Sequence, residues 1–229
     1  MRGRAIRVAV LVALAAFCAG AITAQDMKKP EPTVPEIFTL TRELVRIAYN
    51  NEGYVTLGYR IANASVAEEW MLLDVGVTLR DGNKSQTMKR DAFTLMLPDG
   101  STIPLATQKE YNKAGSLRAL NARANMTRDS INYFPVSANQ ACVLGFFADP
   151  TGPSRISYDQ FELTMRRACV GRMFFEVPGK IQTGQYYLNV KFEGSMVQVP
   201  FRILTKAEEK EFKKQWQDIK KEHDESYKE

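Results

Sequence analysis

The sequence predicts a mainly β fold: an antiparallel β-sandwich interrupted by a short helical segment and followed by a charged amphipathic helix. Three observations carry this expectation. Apolar residues alternate with a period of two in about eight or nine short segments separated by turn signals, as antiparallel sheets with one solvated face require. Before Thr205 the period lengthens to three or four only within residues 106–125. From Thr205 onward one narrow apolar stripe runs along an otherwise charged stretch.

The chain opens with "MRGRAIRVAVLVALAAFCAGAITAQD". Arg2, Arg4 and Arg7 precede an apolar run from Val8 to Ala19, and small residues follow at Ala19, Ala21 and Ala24. This is the charged, apolar and small-residue order of a secretory signal peptide, expected over residues 1–24 with cleavage after Ala24, or alternatively after Ala21. A run of about 12 apolar residues falls short of the roughly 20 that span a bilayer. Cys18 raises a lipid-anchored alternative, but bulky Phe17 precedes it where lipoprotein signals carry a small residue. Cleavage would remove three of the 31 basic residues and leave 28 against 26 acids, so the net charge of +5 belongs mostly to the leader. A nearly neutral remainder argues against nucleic acid as a partner, which calls for a clustered basic footprint. Two cysteines remain, Cys142 and Cys169. In an exported chain such a pair reads as a disulfide, the alternative being two free buried thiols.

Residues 25–36, "QDMKKPEPTVPE", are polar, proline-rich and aperiodic, and read as a flexible linker. The sandwich domain is expected over 37–204, a length that suits one core. In "YVTLGYRIANAS", Val55, Leu57, Tyr59 and Ile61 share one face of a strand. In "EWMLLDVGVTLR", Met71, Leu73, Val75, Val77 and Leu79 do the same, before the Asp81-Gly82 turn. "DAFTLMLPDGSTIPL" reads as a hairpin, with Pro98 pre-setting the turn and Gly100 taking the positive φ. Tyr111, Ala114, Leu117, Leu120 and Ala124 then predict one helix broken near Gly115, or two short ones. Five strands follow: "ACVLGFFADP", "DQFELTMRR", "GRMFFEVP", "GQYYLNVKFEG" and "SMVQVPFRIL". Pro200 cannot donate to a ladder, which marks the last as an edge strand or a bulge. Thr205-Lys-Ala-Glu208 fits a capping box. It opens the C-terminal helix over 205–229, whose stripe is Phe212, Trp216, Ile219, His223 and Tyr227.

Several chemistries lack their residues. The single histidine, His223, lies near the C-terminus on a charged helix, so neither a Ser-His nor a Cys-His arrangement is indicated. No G-x-S-x-G elbow, phosphate-binding glycine loop or H-E-x-x-H motif occurs. With one histidine and a paired set of cysteines, zinc is not expected, and no cofactor is implied. Paired carboxylates would have to come from Asp74, Glu110, Asp149, Asp159, Glu162 and Glu176, which sequence alone cannot bring together. No catalytic residue is assigned.

The strand "YVTLGYRIAN", the turn "LMLPDGSTIPL" and the run "GRMFFEVPGK" followed by "YYLNVKFEGSMVQVPFRI" resemble the immunoglobulin-like, telokin-like extracellular domains of bacterial secreted proteins and lipoproteins of unknown function. The resemblance spans residues 40–204 and rests on Asn63, Asp99-Gly100, Gly171, Phe175, Val177 and Pro178. It implies an immunoglobulin-like sandwich and brings no catalytic residues. The inserted helical segment and the C-terminal helix depart from the pattern.

These readings point to an exported, non-enzymatic envelope protein of the periplasm or exterior, which recognises or scaffolds another envelope protein. Phe212, Trp216, Ile219 and Tyr227 are the candidate docking stripe. The alternative use of that stripe is packing on the chain's own sandwich. A second functional expectation is a carrier or sensor of a small apolar or anionic ligand. It rests on Phe146, Phe147, Phe174 and Phe175 with Arg166, Arg167 and Arg172 nearby.

Overall fold

A computed structural model describes residues 36–40, 44–127, 129–148 and 156–226, with the side chains of 216 and 218–226 left aside. The expected signal peptide and most of the expected linker lie outside the described residues, as do Tyr227 and Asp149. The described chain is mainly β, with several sheets built chiefly of antiparallel pairs and four helices.

The strands are β1 (Glu36–Thr39), β2 (Val45–Tyr49), β3 (Gly53–Gly58), β4 (Trp70–Leu79), β5 (Gln86–Lys89), β6 (Phe93–Met96), β7 (Thr102–Pro104), β8 (Gln140–Val143), β9 (Gln160–Leu163), β10 (Arg167–Glu176), β11 (Gly184–Lys191) and β12 (Met196–Ile203). The helices are α1 (Arg60–Asn63), α2 (Gln108–Lys113), α3 (Leu117–Met126) and α4 (Lys206–Ser226). A six-stranded sheet has the order β1-β2-β3-β4-β10-β8, a four-stranded sheet β12-β11-β6-β7, and β5 pairs with β9. The first two share one hydrophobic core. Strand β12 lies against β2 and β3, and the Tyr59 and Phe201 rings meet across the gap at 5.3 Å.

Several local expectations hold. Strand β4 covers the run read from 69–80, and the β6–β7 hairpin turns through Pro98-Asp99-Gly100 with Gly100 at φ +84°. The helical segment is two helices broken between Lys113 and Leu117. Proline 200 sits on β12, the edge strand of its sheet, opposite Tyr187. The capping box at α4 is formed: Thr205 N–H donates to Glu208 Oε2 at 2.8 Å, and Glu208 N–H donates to Thr205 Oγ1 at 3.3 Å.

Two expectations are corrected. The segment "YVTLGYRIANAS" is a strand only to Gly58; Arg60–Asn63 turn into α1, where Asn63 N–H bonds the Tyr59 carbonyl at 2.9 Å. Ile61 is still buried, by the helix instead of by alternation. The second correction concerns β4, which is buried along its whole length and not on one face alone. Its odd-numbered row faces the shared core. On the other face, β10 residues Phe174, Arg172 and Val170 pair with Leu72, Asp74 and Gly76, and this face lies under α2, α3 and the chain after them. The Tyr111 ring meets Phe174 at 4.9 Å, Phe147 meets it at 5.0 Å, and Arg172 donates to Asn121 and Asn125 of α3. Both faces of β4 are therefore buried, while Val170 and Arg172 of β10 stay half-buried, and period-two patterning is lost along β4.

Candidate binding groove at the root of the C-terminal helix

Strand β12 ends at Ile203, and Thr205 caps α4 at once, so the helix leaves the domain beside the ends of β2 and α1. A capping box and two further hydrogen bonds fix its first turns. Besides the capping box, Arg202 Nε donates to Glu208 Oε1 at 2.7 Å, and Leu204 N–H donates to Asn63 Oδ1 at 2.7 Å. Hydrogen bonds from the Thr205 backbone, Arg202 and the Thr205 hydroxyl hold the Glu208 carboxyl below its ordinary range. Phe212, two turns in, is half-buried and packs against the domain core. The described side chains that follow, Lys213, Lys214, Gln215 and Gln217, are exposed.

Between this root and the domain lies a groove of about 1150 Å³. Leu44, Val66, Leu204 and Phe212 give it apolar walls, while Thr127, Thr183, Arg60 and Asp129 supply polar groups. Arg60 comes from α1 and Asp129 from the chain after α3. Arg60 Nε donates to Asp129 Oδ1 at 2.7 Å, and its Nη2 lies 2.6 Å from the same oxygen. The Asp129 side chain is only 9% exposed, against 39% for Arg60. Its other oxygen, Oδ2, is buried and receives no hydrogen bond. Burial pushes the neighbouring Tyr59 hydroxyl above its ordinary value of 10.0, with Arg46 opposing and the Asp129 charge adding.

The residues singled out from sequence are distributed as follows. Cys142 and Cys169 form a disulfide. Phe212 belongs to the groove wall, whereas the side chains of Trp216 and Ile219 lie outside the described residues. Phe146, Phe147, Phe174 and Phe175 are all part of the core. The arginines near them do not converge: Arg172 pairs with Asp74, Arg167 with Glu162, and Arg166 is exposed. The carboxylates likewise have separate structural duties. Glu110 closes the capping box of α2 with Thr107, Asp159 lies 3.7 Å from Arg90, and Glu176 is exposed at the end of β10. Sequence reasoning missed Asp129 and Arg60, which stand 69 residues apart. Asp129 sits in an aperiodic stretch, and no local signal couples it to Arg60.

Comparison of the chain with protein-family models, curated proteins and solved structures finds no match. Among the described residues no helix is long and apolar enough to cross a membrane.

Proposed function

We propose that this chain is an exported, non-enzymatic envelope protein: an immunoglobulin-like β-sandwich that recognises another envelope protein through its C-terminal helix. The observation that carries this reading is the way α4 is anchored at its root. Its first two turns are tied to the domain by the capping box, the Arg202–Glu208 pair and Phe212. The helix continues to Ser226, and 21 residues extend for about 31 Å. The stripe begun by Phe212 continues in the sequence at Trp216, Ile219 and Tyr227, which suits an amphipathic helix laid into a partner's groove.

Two further observations support the setting. The Cys142–Cys169 disulfide suits an oxidising compartment. The two larger sheets share a single core, as the layers of a sandwich do.

The test is truncation after Lys213, which keeps the anchor and removes the distal stripe. The truncated protein should melt within a few degrees of the full chain yet lose the partners that crosslink to the full chain in its native envelope. An unchanged set of crosslinked partners would sink the reading, and so would a large fall in melting temperature, which would mean that the distal stripe packs on its own domain.

A further inference from the structure

We propose that the groove at the root of α4 binds a small uncharged amphiphile, an acyl or alkyl chain whose hydroxyl or amide N–H head donates to Asp129 Oδ2. This is a second activity, separate from the partner docking assigned to the distal helix.

The argument starts from the carboxylate. A buried acceptor almost always has a donor, and a carboxylate has room for several. Asp129 is nine-tenths buried in a groove wall, yet both short contacts from Arg60 fall on Oδ1, and Oδ2 has no donor among the described residues. The terminal torsion of aspartate is soft. A turn about that torsion would bring Oδ2 toward the groove that Asp129 lines.

The chemistry of the ligand follows. Arg60 already balances the charge of Asp129, so what Oδ2 lacks is a hydrogen bond and not a cation. A second cation would stand close to the Arg60 guanidinium, and an anion would face the carboxylate. The head is therefore uncharged and a donor. The rest of the wall is mixed: Leu44, Val66, Leu204 and Phe212 are apolar, with Val66 42% exposed, while α4 adds Lys206 and the paired Glu209 and Lys213. The apolar part suits a hydrocarbon chain. The volume of about 1150 Å³ lies a little above the usual range of small-molecule sites, about 300–1,000 Å³.

The probes are 1-monododecanoylglycerol, methyl dodecanoate, dodecanoate and dodecylamine, which carry the same chain length on four heads, titrated below their micelle concentrations against the full chain by calorimetry. The monoglyceride should bind, with the ester about tenfold weaker because one hydrogen bond is lost, and the two charged probes weaker again. Asp129→Asn puts an amide donor where Oδ2 was and keeps an acceptor for Arg60, so it should erase the monoglyceride's advantage over the ester, since both offer an ester carbonyl to the new donor. Val66→Trp fills the groove without touching Asp129 and should abolish binding of every probe, which keeps the test alive if the asparagine variant does not fold. Binding that ignores the head group would mean that water satisfies Oδ2, and it would overturn the proposal. Failure of all four probes to bind would do the same, as would Val66→Trp leaving affinity unchanged. None of these outcomes touches the truncation test of the distal helix.

Discussion

Cys142 and Cys169 stand directly opposite each other on β8 and β10, with their Cα atoms 4.1 Å apart, and theirs is the one parallel strand pair among the described residues. Strand β8 is four residues long, mostly exposed, and lies at the edge of its sheet. Such a short parallel edge has little to hold it, because parallel pairing is the weaker kind and a four-residue ladder is minimal. The disulfide fastens it to the ten-residue β10, whose Cys169 is fully buried.

Removing that fastening should cost about 3–4 kcal/mol, the loop-closure entropy of the roughly 28 residues it encloses. The double variant Cys142→Ala/Cys169→Ala should show this as a lower urea midpoint with an altered denatured state. In the unmodified protein neither sulfur should react with a thiol reagent until reductant is added.

Phe174 reports on the layer that covers the second face of the large sheet. Its ring is 2% exposed and is wedged between Tyr111 and Phe147. Phe174→Ala should therefore destabilise by about 3–5 kcal/mol, as buried aromatic truncations do. A solvated sheet face, as simple alternation would have it, predicts less than about 1 kcal/mol. Thermal unfolding followed by near-ultraviolet circular dichroism distinguishes the two values.

Glu68 gives a pH signature. Arg123 of α3 donates to both of its oxygens at 2.7 Å, and this hydrogen bond holds the Glu68 carboxyl below its ordinary value of 4.5, with burial opposing. A lowered folded-state value means that the pair's stabilisation is full above pH 4.5 and is lost as pH falls through the lower, folded value. Both side chains are more than a third exposed, so the contribution is no more than about 1 kcal/mol. The stability gap between the unmodified protein and Glu68→Gln should be greatest near neutrality and close as the solution is acidified below pH 4.5. A gap that stays constant with pH would mean the pair is not formed.

How much of this was legible in the sequence depends on the range of the interaction. Thr205 and Glu208 are three residues apart, and Pro98-Asp99-Gly100 are contiguous, so the helix cap and the hairpin turn could be read directly. Pro200 announced an edge strand because its missing N–H is a property of one residue. The burial of Leu72 and Phe174 could not be read, since it depends on helices about 36 to 66 residues away in sequence folding over that face. The same limit hid the groove: Leu44, Val66, Asp129 and Phe212 come from four separate stretches, and only the tertiary fold unites them. Ile61 shows the intermediate case, where burial was read correctly and the strand wrongly, because a four-residue turn of helix is too short to display a period that separates it from a strand.

Gly171 is the residue on which the β8–β10 junction closes. A Cβ at this position would stand 2.6 Å from Leu144 Cβ and 2.7 Å from the Leu144 carbonyl oxygen. Leu144 directly follows β8, and its N–H donates to the Val170 carbonyl at 2.9 Å, so the obstruction is backbone that cannot swing aside. Gly171→Ala should push Leu144 away from β10, weaken that bond and cost about 1–3 kcal/mol. Gly115→Ala is the control, since a Cβ there meets nothing within 4 Å, and its urea midpoint should match that of the unmodified protein. Because Cys169 lies two residues before Gly171, a displaced β8 should also slow reoxidation of the Cys142–Cys169 pair after reduction. Equal stability and equal reoxidation rates in the two alanine variants would show that β8 and β10 do not require this close approach.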